Sequence, residues 1–174
     1  LSELGEFGLI DRLTKDIKIH NKSTVKGIGD DADVIDHKSE QTLVSTDILI
    51  EGVHFDMTYM PLKHLGYKAA VVNFSDIYAM NGTPTQIVVG MGISSKFSVE
   101  AVEEIFSGIR LACENYKVDL VGGDTTASKS GLFISVTVIG KAKKDDIVYR
   151  DGAKANDLLC VSGSLGAAYT GLLI

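Results

Sequence analysis

Residues 61–93 read PLKHLGYKAAVVNFSDIYAMNGTPTQIVVGMGI, and this stretch decides the fold. Pro61 has a fixed φ and no N–H, so it suits the opening of a helix. The pattern predicts a long helix from there to about Asn81, stopped by Asn81–Gly82 and Pro84. Apolar residues stand on nearly every side of it: Leu65, Ala69, Ala70, Val71, Val72, Phe74, Ile77, Ala79 and Met80. A helix of that kind is expected to be buried. A β-branched run follows at once, predicting a strand over Thr85–Ile93. A helix feeding a strand is one unit of a layered α/β architecture.

Downstream, Ser98 is placed to cap a helix reaching Tyr116, with an inner stripe of Val102, Phe106, Ile109, Cys113 and Tyr116. Asp119–Val121 reads as a short strand ending at Gly122–Gly123, and Leu132–Ala142 as a long alternating one. Upstream, Thr42–Ile50 reads as a strand, and Ser2–Lys15 as an amphipathic helix through Leu4, Phe7, Ile10 and Leu13. Some strands follow one another directly, which predicts a mixed α/β (α+β) domain rather than a purely parallel sheet. The polar segment Lys143–Asn156 reads as a boundary, giving a first domain over 1–145 and a linker with the start of a second over 146–174. In that second part, Leu158–Ser162 is expected to be a strand, followed by a small-residue turn at Gly163–Gly166 and a helix start.

The chain has 174 residues, 45% hydrophobic, with a formal charge of −6. That is enough apolar material for a real core, and the charge gives no general pull toward nucleic acid. No apolar run approaches the ~20 residues of a membrane span. Cys113 and Cys160 stand alone and read as small buried hydrophobes, with a reducing cytoplasm as the default setting. The chain starts at Leu1 and stops inside the apolar stretch 167–174, as a part of a longer protein would.

Four aspartates each follow a small residue: Gly29–Asp30, Thr46–Asp47, Ser75–Asp76 and Gly123–Asp124. Three of them, Asp30, Asp47 and Asp124, fall near the ends of strand-like segments, where α/β folds gather ligands. Asp76 falls inside the most apolar helix, where an unpaired carboxylate is costly, so it is expected to face a cation, a strong donor or water. Asn73 precedes it by three residues on the same side. Any one of these aspartates fits an ordinary turn or cap. As a set with no Cys/His cluster, they point to hard-cation chemistry, Mg²⁺ rather than Zn²⁺, and through it to a polyphosphate.

Gly122–Gly123–Asp124–Thr125–Thr126 permits close backbone approach to a phosphate, although many turns look the same. There is no GxxxxGK[ST] and no GxGxxG. His54, in Glu51–Gly52–Val53–His54–Phe55, follows the strand carrying Asp47 and is either structural or a phosphate-positioning group. Arg150 is by itself a surface charge, and in a phosphate site a natural clamp. His20, His37 and His64 read as surface residues.

The order GIGDDA (27–32), STD (45–47) with EGVHF (51–55), NFSDI (73–77) and GGDT (122–125) resembles the thiamine-monophosphate kinase family of the aminoimidazole-ribonucleotide-synthetase-like superfamily. EGVHF is the specific part, and Gly5–Glu6–Phe7 is similar too. The resemblance implies a PurM-like N-terminal domain, with helices packed on one face of the sheet and two copies paired as a homodimer through a β-barrel. It implies phosphorylation of thiamine monophosphate by ATP. It places Mg²⁺ on Asp30, Ser45, Thr46, Asp47, Asp76 and Asp124, the substrate on His54, and ATP on Gly123, Asp124 and Arg150. Phe106 stands where the family often has a tyrosine near the nucleotide, and it equally fits the helix core stripe. Relatives carry a second domain, which here only begins at about Asp157. Other readings are a different synthetase of the superfamily, a non-catalytic nucleotide-binding dimerisation module, and a Ca²⁺-binding domain, the last lacking EF-hand spacing.

Overall fold

The computed structural model describes residues 8, 12–26, 34, 35, 40–149 and 152–173. Most of the helix expected over Ser2–Lys15 lies outside these residues, though Arg12–Thr14 are helical. Two short strands, β1 (Thr24–Lys26) and β2 (Val34–Ile35), pair antiparallel. The main sheet has four strands: β3 (Gln41–Ile50), β4 (Thr83–Ile93), β5 (Asp119–Ala127) and β6 (Leu132–Ala142). Their order is β3-β6-β4-β5. β6 is antiparallel to both β3 and β4, and β5 is parallel to β4. The sheet is therefore mixed, as the succession of elements predicts.

Helix α1 (Leu62–Ala79) links β3 to β4, and α2 (Val99–Tyr116) links β4 to β5. A parallel pair cannot be closed by a hairpin, so the β4–β5 pair requires a crossover such as α2. Ser98 caps α2 by accepting a hydrogen bond from the Ala101 N–H at 3.2 Å. Asn81 ends α1 in the left-handed region, φ 58°, a conformation asparagine tolerates. The helix Pro61 opens is apolar in composition but not buried all round. Leu65, Ala69, Ala70, Phe74 and Ile77 form its inner face, while Ser75, Tyr78 and Ala79 are exposed. Tyr116, expected in the inner stripe of α2, is partly exposed and lies beside Phe74, ring centroids 5.5 Å apart.

β6 alternates buried and half-buried residues along its whole length. Leu132, Ile134, Val136 and Val138 face the helices. The other face of the sheet is covered by no helix among the described residues and carries Val44, Ile48 and Ile50, all exposed. α1 packs on the sheet and α2 on α1, and there the backbones nearly touch. A Cβ on Gly66 would sit 1.9 Å from the Ile105 carbonyl oxygen, and one on Gly108 would sit 1.9 Å from that of Lys63. Only glycine fits at either position.

Two strand expectations need correcting. The strand at Asp119 does not stop at Gly122 but runs to Ala127, because β4 offers a parallel edge for the whole GGDTT segment. Leu158–Ser162 forms no strand: it pairs with no other strand among the described residues, and Leu158 and Leu159 are 91% and 97% exposed. Cys160, expected to be buried, is exposed in this same segment. A short helix, α3 (Ala167–Leu173), follows. The first part of the polar segment turns back onto the domain. The Asn81 side-chain amide donates to the Asp146 carbonyl at 2.9 Å, and the Val148 N–H donates to the Met80 carbonyl at 3.2 Å.

Candidate active site

The β-strand repeat sorts the STD segment of β3 onto two faces. Ser45 and Asp47 share the helix-facing side with the buried Leu43 and Leu49, and Thr46 takes the other side. The Ser45 hydroxyl donates to Asp76 Oδ2 across to α1 at 2.6 Å. The Asp47 N–H donates to Asn73 Oδ1 at 3.0 Å. Asn73 is fully buried, and its amide also donates to the Ala69 carbonyl at 2.9 Å. Asp76 itself is only half-buried. As its place in an apolar helix requires, it meets a donor, the Ser45 hydroxyl, and its helix turns it toward an open groove of about 690 Å³. Thr42, Ser45, Met80, Val148 and Tyr149 help to line that groove. Thr46 Oγ1 lies instead with the Val136 carbonyl at 3.1 Å and Thr137 Oγ1 at 3.0 Å.

Gly123 and Asp124 lie elsewhere. With Thr125, they line a small pocket of about 70 Å³ closed by Leu13, Thr14 and Phe106. Phe106 thus belongs both to the core stripe and to the wall of this pocket. A Cβ on Gly123 would fall 2.1 Å from the Val89 carbonyl oxygen, so the bare backbone is required there.

The register fixes how far apart these two places are. Asp47 pairs with Val136, Val136 with Val89, and Val89 with Gly123. Three strand spacings separate the two edges, roughly 14 Å at ~4.8 Å each. Among the described residues, Asp47 and Asp76 therefore do not form one constellation with Asp124. Ser45, Asp47 and Asp76 gather at one edge, and Asp124 stands at the other. Among the described residues no three His, Cys, Asp or Glu side chains converge as a metal cluster. Asp30, Arg150 and His37 lie outside the described residues.

His54 sits in a tight turn directly after β3. Its Nδ1 accepts the Ile50 N–H at 3.1 Å, and its own N–H donates to the Ile50 carbonyl at 2.9 Å. Glu51 ties the turn to the start of β6, its Oε2 accepting the Leu132 N–H at 2.8 Å. Lys68 of α1 donates from Nζ to the His54 carbonyl at 3.0 Å.

Sequence reasoning noted Asn73 only as a neighbour of Asp76 and missed Lys68 and Asp119. Asn73 is the buried link between α1 and Asp47. Lys68, on the same helix, has nothing in its sequence neighbourhood that sets it apart. Asp119 is completely buried and accepts from the backbone N–H groups of His20 and Asn21 and from the Thr24 hydroxyl, anchoring the segment before β1. Three donors satisfy this carboxylate without any ion. Among the thiols, burial pushes Cys113 up to about 12, so it carries no nucleophilic chemistry.

The family model for AIR synthase related protein, N-terminal domain, matches residues 29–142. Thiamine-monophosphate kinase of Aquifex aeolicus (strain VF5) is 40% identical over 172 residues, 99% of this chain and 53% of that protein. The enzyme of the same name from Bacillus subtilis (strain 168) is 38% identical, over 97% of this chain and 52% of its own length. The chain thus spans about half the length of the curated relatives it matches. A solved structure described as AaThiL complexed with AMPPCP and TMP is 38% identical with a TM-score of 0.63, covering 88% of this chain and 47% of that one. The thiamine-monophosphate kinase from Stenotrophomonas maltophilia K279a is 32% identical with a TM-score of 0.73, covering 87% and 46%. The hydrogenase maturation protein HypE in complex with ATP, 21% identical with a TM-score of 0.67, shares the fold.

Proposed function

Since the chain belongs to the AIR synthase related family, as its N-terminal domain, we propose that it is the metal- and nucleotide-binding half of an enzyme that phosphorylates thiamine monophosphate to thiamine diphosphate with ATP. The observation that carries this reading is the pairing of Ser45 with Asp76 at an open groove, with Asp47 on the same face of β3, in a chain 40% identical to an enzyme of that name.

The donors at that edge fit Mg²⁺. They are hard oxygens, two carboxylates and a hydroxyl, on a half-buried ledge with room for waters and phosphate oxygens. Bound there, Mg²⁺ would neutralise phosphate charge during transfer. This chain's own residues supply position. Asn73 fixes the backbone of Asp47, Ser45 holds the Asp76 carboxylate, and the turn after β3 presents His54 to the acceptor phosphate. That phosphate is already ionised near neutral pH, so the reaction needs no general base. Direct in-line attack on the γ-phosphorus of ATP is a matter of alignment and charge. Gly123, Asp124, Thr125 and Phe106 offer the ATP a second foothold, and Asp30 and Arg150 complete the assignment; Thr46 lies on the other face of β3 and is left to the sheet.

The distance between the two edges argues for a homodimer. Pairing the open faces of two sheets by a two-fold axis would carry Asp124 of one copy toward Asp47 of the other. It would also cover Val44, Ile48 and Ile50, which are now exposed. A cytoplasmic setting suits the two free thiols. A second reading is a non-catalytic nucleotide-binding dimerisation module, in which the exposed Val44, Ile48 and Ile50 would serve pairing alone.

Asp47→Asn in the full-length protein tests the assignment. The amide keeps the shape and removes the charge, so turnover should fall by at least about a hundredfold while thermal stability stays near wild type. Wild-type turnover in this variant would remove the metal from Asp47. Mg-ATP binding without any turnover in the wild type would select the second reading.

A further inference from the structure

Lys68 has no place in the sites described so far, yet the structure seats its ammonium against the turn that carries His54. We propose that Lys68 is a second ligand of the acceptor phosphate: its ammonium and the Nε2–H of His54 together form a two-donor clamp for that group. The inference rests on the phosphotransferase reading above and adds a residue to it.

The turn itself sets up the clamp. Ile50 donates its N–H to His54 Nδ1, so Nδ1 carries no proton and the neutral ring bears its proton on Nε2. Nε2–H is then left as an outward donor on an exposed side chain. The turn's backbone donors are already used. Gly52 N–H goes to the Phe55 carbonyl, and the N–H groups of Val53 and His54 go to that of Ile50. Among the neighbouring acids, Glu51 is held by the Leu132 N–H and Asp56 by the Thr58 N–H. Neither is tied to Lys68 by an ion pair. The ammonium spends one of its three donors on the His54 carbonyl and keeps two for an incoming anion.

The position along α1 also fits. Lys68 precedes Asp76 by eight residues, about 12 Å of helix rise and roughly 80° of turn, so the two look out from the same side of α1, Lys68 exposed and Asp76 half-buried. A phosphate held by Lys68 and His54 would therefore lie along α1 from the metal ledge, on the side from which it could attack a metal-held γ-phosphate. An ammonium also favours a phosphate dianion over an uncharged hydroxyl, so the clamp would select the phosphorylated acceptor over the unphosphorylated vitamin.

The experiment is done on the full-length protein with Lys68→Met and Lys68→Arg, reading KM for thiamine monophosphate, KM for ATP, and the ¹⁵N signature of the His54 ring by NMR. Losing a charge-assisted donor should raise KM for thiamine monophosphate in the Met variant by about tenfold to a hundredfold. ATP should stay within about twofold, the arginine should restore most of the loss, and the His54 tautomer should be unchanged. An unaltered KM for thiamine monophosphate in Lys68→Met overturns the clamp. So does a changed His54 tautomer in that variant, which would make Lys68 a brace for the turn and nothing more. If the wild-type His54 resonances ignore thiamine monophosphate while they respond to inorganic phosphate, the acceptor assignment falls and the anion clamp stands.

Discussion

Removing the side-chain amide of Asn73 separates the structural roles of this region most cleanly. Asn73 is fully buried, and its Oδ1 accepts the Asp47 N–H at 3.0 Å. A backbone N–H in a half-buried place has little water to replace that partner. Leaving it unpaired costs about 1–3 kcal/mol. The Ala69 carbonyl, which also accepts from Asn73, loses less because its helical bond remains. Asn73→Ala adds a small void worth about 1 kcal/mol. The total is about 2–4 kcal/mol, or roughly 5–15 °C in Tm for a chain of this size. Asn73→Leu fills the void without restoring the acceptor and should recover only the void's share. Thermal melts checked by urea unfolding measure both variants. A leucine variant as stable as wild type would refute the claim that the hydrogen bond to Asp47 supports this edge. So would an alanine variant within about 1 °C of it.

Two further outcomes follow from the packing and the thiols. Gly108→Ala drives a Cβ to 1.9 Å from the Lys63 carbonyl oxygen, so α1 and α2 must part. Urea midpoints should show a loss of about 1–3 kcal/mol, whereas Gly90→Ala, whose nearest new neighbour is the Ser135 Cβ at 3.7 Å, should cost less. In native protein at pH 8 a thiol reagent should titrate Cys160 and spare Cys113, and unfolded protein should yield both. The Cys113 thiol is raised from 9.0 to about 12 in the fold by burial. The unfolded chain therefore releases this proton first. The contribution is fully present below pH 9 and is lost as pH rises from there toward 12. Cys113→Ala should flatten that part of the stability profile.

Where a single element decides its own shape, the residues were enough. The strict alternation of Leu132–Ala142 gave β6 its ends, and Ser98 placed the start of α2. The β-branched run before Glu51 gave β3 to within a residue. Pairing between elements was less legible. GGDTT has neither alternation nor bulk, and it becomes strand because β4 presents a parallel edge. Leu158–Ser162 has the composition of a strand but pairs with no other strand among the described residues. The same limit governed the site. That Ser45 meets Asp76 and Asp47 meets Asn73 follows from which face of α1 turns inward, and spacing alone could not choose between Asn73 and Asp76 as the buried member. That Asp124 stands at the far edge depends on the insertion of β6 between β3 and β4, which has no signature in the local sequence.

Phosphoryl transfer from ATP to a phosphate acceptor can be watched by ³¹P NMR of the full-length protein incubated with Mg-ATP and thiamine monophosphate. The expected spectrum shows thiamine diphosphate and ADP growing in equal amounts, with no orthophosphate, and no change once the divalent cation is chelated. Orthophosphate appearing with ADP while thiamine monophosphate stays intact, or a spectrum that never changes, would contradict transfer to this acceptor.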